Sequence, residues 1–422
     1  RIKIEKIPAL RGVIYDRNGK VLVRNTPGGR EYLYGPALAH VLGYTGQVSE
    51  EELMECDGVA RDLSAKSLLR DSVGSLNHQL GGPNANVFSK DRFASLEDYK
   101  IDQTALQKER CPYQPGDLVG KMGIEKQYDL FLRGTDGGIL EEVDAHGNKI
   151  RQLSQKQPLP GENSNLTLDL DLQKKAFEAL KEKKGAAVAQ DPKTGEILAL
   201  VSSPSFEPNL FTIKNRESDE SEIEEILTDK DQPMFNRAIS GLYPPGSTFK
   251  IVTALSGLAE GKITPDTQIE DKGQIEAGGK TFANWYFRQY GKTEGMVDVV
   301  KAIQRSNDIF FYRTGEALGI EKLASWARKF SFGNQTGIDL PGEETGLVPD
   351  RKWRKETKGE NWYLGDDFIT AIGQGDLLVT PLQVNVMTSV VANKGKLCKP
   401  KLVNFQFSIF NNQYCQDLGI KK

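Results

Sequence analysis

Ser247 and Lys250 are the residues whose types and spacing most directly suggest chemistry. They stand three positions apart in LYPPGSTFKIVTAL, Leu242 to Leu255. A serine hydroxyl is a weak nucleophile until a neighbouring base takes its proton. On a helix, a spacing of three puts two side chains on one face, with Cβ atoms about 5–6 Å apart. Lysine serves as a base only when neutral, and bringing its pKa from ~10.4 to ~7 costs roughly 4.6 kcal/mol. Burial supplies shifts of about 3–5 pH units. The run Phe249, Ile251, Val252, Ala254, Leu255, Leu258 and Ala259 predicts a helix buried in the middle of a domain, ended by Gly261 and Pro265. Ser247 falls in its first turn, where backbone N–H groups and the helix dipole favour a developing negative charge. No other serine in the sequence has lysine three residues on. Taken alone, the tetrad reads equally as an N-cap serine followed by a surface lysine.

A second polar group stands in QRSNDIFFYRTGEALG, where Ser306, Asn307 and Asp308 interrupt two apolar segments. Buried polar residues need partners, and a hydroxyl with a carboxylate suits holding Lys250 and relaying its proton. The plainer reading is an N-cap for a helix starting near Ile309. Histidine, the usual base, occurs only at His40, His78 and His146, far apart in sequence, so neither a Ser-His triad nor a histidine metal site is expected. Cys56, Cys111, Cys398 and Cys415 form no C-x-x-C, no zinc spacing and no obvious disulfide framework, leaving the redox compartment open.

The 422 residues suffice for two or three domains, and 38% apolar with 27% charged residues fits a soluble globular protein. A net charge of −3 makes no electrostatic case for nucleic acid. No run of about 18 apolar residues is present.

Several elements must position the polar groups. Asn18-Gly19 in RGVIYDRNGKVLVRN signals a hairpin. VGKMGIEKQYDLFLRGTDG predicts a short helix with Ile124, Tyr128, Phe131 and Leu132 on one side. KQPLPGENSN, Lys156 to Asn165, reads as the linker between two domains. Beyond it, a strand-like LTLDLDLQ turns into a helix carrying Leu172, Ala176, Phe177 and Leu180, with Gly185 as its stop. AAVAQDPKTGEILALVSS is a hairpin turning at Asp191 to Gly195, and ESDESEIEEIL is an acidic, solvated helix.

Together YPPGSTFK, RSNDIFF, DPKTGEILALVSSPSF, GIEKQYDLFLRG, TGIDLPGE and GQGDLLVTPLQ resemble the class B penicillin-binding proteins of the elongation type, over most of the sequence and in the family's order. The resemblance implies an α+β fold: a central antiparallel sheet flanked by helices in a transpeptidase domain over 164–422, and an irregular, dimerisation-like pedestal over 1–163. It implies a peptidoglycan D,D-transpeptidase that crosslinks stem peptides during cell-wall elongation. Ser247 would attack the penultimate D-Ala carbonyl, Lys250 would be the base and Ser306 the proton shuttle. Asp308 would fill the third position of the S-x-N element, and Asn307 and Gly246 would meet the substrate. β-Lactams would acylate the same serine. The implied partners are a SEDS-family glycosyltransferase and the elongation machinery. The implied location is the outer, periplasmic side of the cytoplasmic membrane, through a single N-terminal anchor upstream of Arg1. No cofactor is implied. Some relatives hold zinc beside the cleft through Asp, His and Cys; Asp271 to Gly295 contains neither His nor Cys, so no metal is expected.

Two departures from the pattern carry expectations. The family's K-T-G element belongs on a strand near the C-terminus, whereas Lys193-Thr194-Gly195 precedes the nucleophile and sits in a predicted turn. The real element is expected beyond Lys422, so that the sequence is incomplete at its C-terminal end and inactive or nearly so, since one oxyanion donor alone is worth about 2.7–4 kcal/mol. An internal deletion is expected near residue 27, where Thr26 runs almost directly into Gly28 and Tyr34. A non-catalytic penicillin-recognising sensor or scaffold is the alternative function. A β-lactamase fits less well, because no deacylating glutamate is assignable.

Overall fold

Turn chemistry sets the first elements. Gly19 takes a left-handed φ of 80° between the strands Ile14–Tyr15 and Val21–Thr26, which pair antiparallel as the Asn-Gly signal predicts. The structure, a computed structural model, describes residues 1–27, 29–56, 111, 113–212, 217–404 and 415–419. Gly28 and His78 lie outside the described residues.

The hairpin widens into a four-stranded sheet with Gly29–Tyr32 on one side and Ser164–Asn165, parallel to Ile14–Tyr15, on the other. A separate three-stranded sheet, Ile2–Ile7, Gly137–Val143 and Lys149–Lys156, presents both outer strands to solvent. The short helix predicted within 119–137 is two helices, Gly123–Gln127 and Asp129–Leu132, with Ile124 and Leu132 fully buried.

The linker is a seam in sequence but not in the core. Ile14, Leu22, Tyr32 and Leu42 share one apolar cluster with Leu166, Leu200, Ile239, Leu382 and Val386. The helix Leu170–Leu180 is capped by Asp169. On that helix Leu172 is exposed and Gln173 is buried instead. Gln173 donates to the carbonyls of Ala37 and Leu200, and so joins N-terminal residues to the central hairpin. Gly185 opens the next strand and does not stop that helix, whose C-cap is Lys181.

The central hairpin, Gly185–Gln190 with Ile197–Ser203, is antiparallel. The helix Pro381–Ala392 lies against it, Asn385 donating to the Val188 carbonyl. The second strand, ILALVSS, is buried at all but one of its positions. Lys193-Thr194-Gly195 forms the hairpin turn, where the Lys193 carbonyl lies 3.5 Å from Cys398 Sγ.

Two disulfides correct the reading of the cysteines: Cys56 bonds Cys111 and Cys398 bonds Cys415. Each joins segments brought together by folding, which spacing does not reveal. Among the described residues, no helix is long and apolar enough to cross a membrane.

Candidate active site

Ser247 lies in a 3-10 turn, Gly246–Phe249, that runs straight into the helix Lys250–Ala259. This helix is buried because it divides two cores. Phe249 and Val252 pack with Phe330, Phe332 and Met387, while Ala254 joins Phe282, Phe310, Phe311 and Phe368. Gly373 holds the turn down: its carbonyl accepts from Gly246 N at 2.8 Å. A Cβ on Gly373 would lie 2.1 Å from the Gly246 carbonyl oxygen, and its φ of 75° is left-handed. Only glycine fits there, which gives the GQGDLL segment a physical role.

Lys250 is 3% exposed, and its three ammonium donors have three acceptors. They are Ser306 O at 2.8 Å, Ser306 Oγ at 3.0 Å and Asp308 Oδ1 at 2.6 Å. Ser306 Oγ in turn donates to Ser247 Oγ at 2.9 Å. The expected helical-face pairing is thus indirect. Lys250 reaches Ser247 through Ser306, because a carboxylate and a carbonyl attract the ammonium more strongly than a hydroxyl does. Burial lowers the Lys250 pKa, and the charge and hydrogen bond of Asp308 restore only part of it.

The Ser306–Asp308 segment is a tight joint between the helices Val299–Arg305 and Asp308–Leu318. Ser306 takes a left-handed φ of 52°, a conformation that costs about 1–3 kcal/mol for a residue other than glycine. Asp308 Oδ2 accepts from Trp285 N at 2.9 Å, and Asp308 N donates to Asn284 Oδ1 at 3.1 Å.

Asn307 does not meet the cleft, against the expectation that it touches substrate. It is 0% exposed. Its Oδ1 caps the helix by accepting from Phe310 N, and its Nδ2 donates to Asp271 Oδ2 and Glu294 Oε2, each at 2.9 Å. The plain N-cap reading therefore holds for Asn307, while its neighbours face Lys250. Gly246 gives its N–H to the Gly373 carbonyl.

Asp271, Asn284, Glu294 and Asn307 converge behind the joint but do not suit a metal. The two amide oxygens face backbone N–H groups, which turns both NH₂ groups toward the Asp271 carboxylate. An NH₂ donor cannot ligate a cation.

A cleft of about 490 Å³ opens over Ser247, Ser306 and Asp308, walled by Lys280, Phe282, Trp285, Arg288, Tyr312 and Gln374 among others. Burial, then the Asp308 charge, pushes the Tyr312 pKa up to about 12. Lys193-Thr194-Gly195 is not part of this wall. Sequence reasoning missed Asn284, Trp285, Arg288 and Tyr312. Of the wall residues, Gln374 lies within GQGDLL, a segment that the family pattern marks out.

Residues 185–420 match the family described as the penicillin binding protein transpeptidase domain, and residues 95–166 match the penicillin-binding protein dimerisation domain. The peptidoglycan D,D-transpeptidase MrdA of Acinetobacter baumannii is 36% identical over 96% of this chain and 63% of that protein. The crystal structure of Pseudomonas aeruginosa PBP2 superposes with a TM-score of 0.72 at 32% identity, over 96% of this chain and 73% of that one. The PBP2 of a Helicobacter pylori complex with MreC also reaches 0.72, at 27% identity, over 99% and 80%. The chain spans 51–66% of the length of the first curated relatives it matches.

Proposed function

This chain belongs to the class B penicillin-binding proteins of the elongation type, and from that premise we propose that it is a peptidoglycan D,D-transpeptidase acting through an acyl-enzyme on Ser247. One observation carries the assignment: the unbroken line Ser247 Oγ, Ser306 Oγ, Lys250 Nζ, with steps of 2.9 and 3.0 Å, ending on a buried amine of lowered pKa. With Lys250 neutral, Ser247 passes its proton to Ser306, and Ser306 passes its own to Lys250. The serine oxygen bonds the penultimate D-Ala carbonyl carbon of a stem peptide, with the Ser247 N–H facing the oxyanion. Returning the proton to the leaving amine releases D-Ala. An amine of a second stem peptide then attacks the ester and gives a proton to Lys250, which returns it through Ser306 to the departing Ser247 oxygen, so that the hydroxyl and the neutral amine are both restored.

Asp308 keeps the amine at the end of this line, and its second oxygen is fixed by the backbone of Trp285. β-Lactams, which mimic D-Ala-D-Ala, acylate the same serine. On this reading the protein works on the outer side of the cytoplasmic membrane, anchored there, together with the elongation machinery and its SEDS-family glycosyltransferase. Its two disulfides support an oxidising compartment. Related structures, a PBP2–MreC complex and a peptidoglycan synthase complex, support partners of that kind.

A fluorescent penicillin tests the reading. The expected outcome is a long-lived adduct located on Ser247 by peptide mass spectrometry and absent from Ser247→Ala. Label retained by Ser247→Ala overturns the nucleophile, and rapid loss of label points to a hydrolase.

A further inference from the structure

We propose that Asp271, acting through Asn284, Asn307 and Glu294, is the positioning residue that sets Asp308 and Ser306 against Lys250, by a hydrogen-bonded network in place of a metal. This rests on the proposed role of Lys250 as base. Asp271 is 2% exposed. Its Oδ1 accepts from Gly273 N at 2.7 Å. Its Oδ2 accepts from Asn284 Nδ2 at 2.8 Å, Asn307 Nδ2 at 2.9 Å and Glu294 N at 3.2 Å.

The side-chain branches of that set all end on the joint. Asn284 turns its oxygen to Asp308 N, and the next residue, Trp285, gives its backbone N–H to Asp308 Oδ2. Asn307 is the residue between Ser306 and Asp308. Glu294 holds the same Asn307 amide through Oε2 and takes Arg305 Nε on Oε1 at 2.6 Å, just before Ser306. Ser306 is therefore gripped on both sides of its left-handed backbone, which persists only where the surroundings over-determine it. A buried carboxylate that accepts four N–H groups is held rigidly in place. None of these four residues lines the cleft, so their effect on chemistry passes through Asp308 and Ser306.

The test reads Lys250 directly by heteronuclear NMR of lysine-labelled protein, with its resonance assigned by Lys250→Gln. The charged and titratable groups around this amine are Asp308, then Tyr312, Arg288 and Lys280 in the same cleft. In Asp271→Asn the loosened Asp308 supports the ammonium less, so the Lys250 titration midpoint falls by roughly one pH unit or more. Asn284→Ala, which removes the acceptor for Asp308 N, carries the same expectation and stands in if Asp271→Asn does not fold. Glu276→Gln, on the exposed hairpin nearby, leaves the midpoint in place. A midpoint in folded Asp271→Asn or Asn284→Ala that matches the parent overturns the proposal, even where melting temperature drops. Penicillin labelling in parallel separates the two claims. A shifted midpoint in the variants alongside a parent that takes no label preserves the network and removes the transpeptidase reading, while normal labelling of the parent with an unshifted midpoint in the variants does the reverse.

Discussion

Lys250 with Asp308 in the cleft, and Arg11 and Arg30 with Glu125 in the N-terminal half, are both ion pairs withdrawn from water. Glu125 is 0% exposed and receives Arg11 Nε at 2.6 Å and Arg30 Nε at 2.8 Å, while Arg11 also reaches Asp129 at 2.8 Å. Burial opposes charge on each member, but there the counter-charges prevail: the Arg11 pKa is driven up and the Glu125 pKa is held down. At Lys250 burial prevails over a single carboxylate and the amine is pushed down. The N-terminal cluster is a lock, because a guanidinium does not lose its proton in a protein. The cleft pair is poised, because an ammonium does. Burial alone decides neither outcome; the number of counter-charges and the acidity of the cation do.

Exchanging those properties gives the sharpest tests. Lys250→Arg would turn the cleft pair into a lock, and penicillin labelling should fall about 10²–10⁴-fold with little change in melting temperature. Labelling within a few-fold of the parent would mean that no neutral base is needed. Glu125→Gln leaves two buried cations under-compensated. It should cost about 3–5 kcal/mol of unfolding free energy in denaturant melts, with labelling per folded molecule unchanged; a neutral result would deny the cluster its structural role.

The pH dependence comes next in size. Labelling should rise with pH as Lys250 loses its proton, with a midpoint below the ordinary lysine value of ~10.4. Asp308→Asn removes the group that favours the ammonium, so its midpoint should fall by a further ~1–3 pH units; an equal or higher midpoint contradicts the pairing. Arg30→Lys keeps the charge but loses the fork that also reaches Asn25, and should cost about 1–2 kcal/mol by thermal melts. Smallest of all is Lys193→Ala in the hairpin turn, expected within ~0.5 kcal/mol of the parent and without effect on labelling.

Much of the site is legible in local sequence because its main parts are local structures. PPGSTFK carries a bend, a first turn and an apolar helix in one run, and RSND carries a helix end followed by an N-cap. Such features depend on neighbours within a few positions, where propensity and periodicity act. The hairpins at Asn18-Gly19 and Asp191 to Gly195 are legible for the same reason. The roles of Asn284 and Trp285 are not, since nothing in FANWYF distinguishes them from a surface turn until Asp308 is brought alongside. Leu172 and Gln173 exchange their expected places because the neighbouring carbonyls of Ala37 and Leu200 need a donor, and periodicity does not report such a need.

From the residues alone came the serine–lysine tetrad, the polar joint and the family to which their order belongs, since each is written in contiguous segments. Only the folded protein decided that Ser306 bridges Lys250 to Ser247, that Asn307 turns inward, that the cysteines pair, and that one core crosses the linker. Those outcomes depend on contacts between residues tens to hundreds of positions apart. There, burial and the requirement that every buried donor find an acceptor choose among arrangements that local preference leaves equivalent.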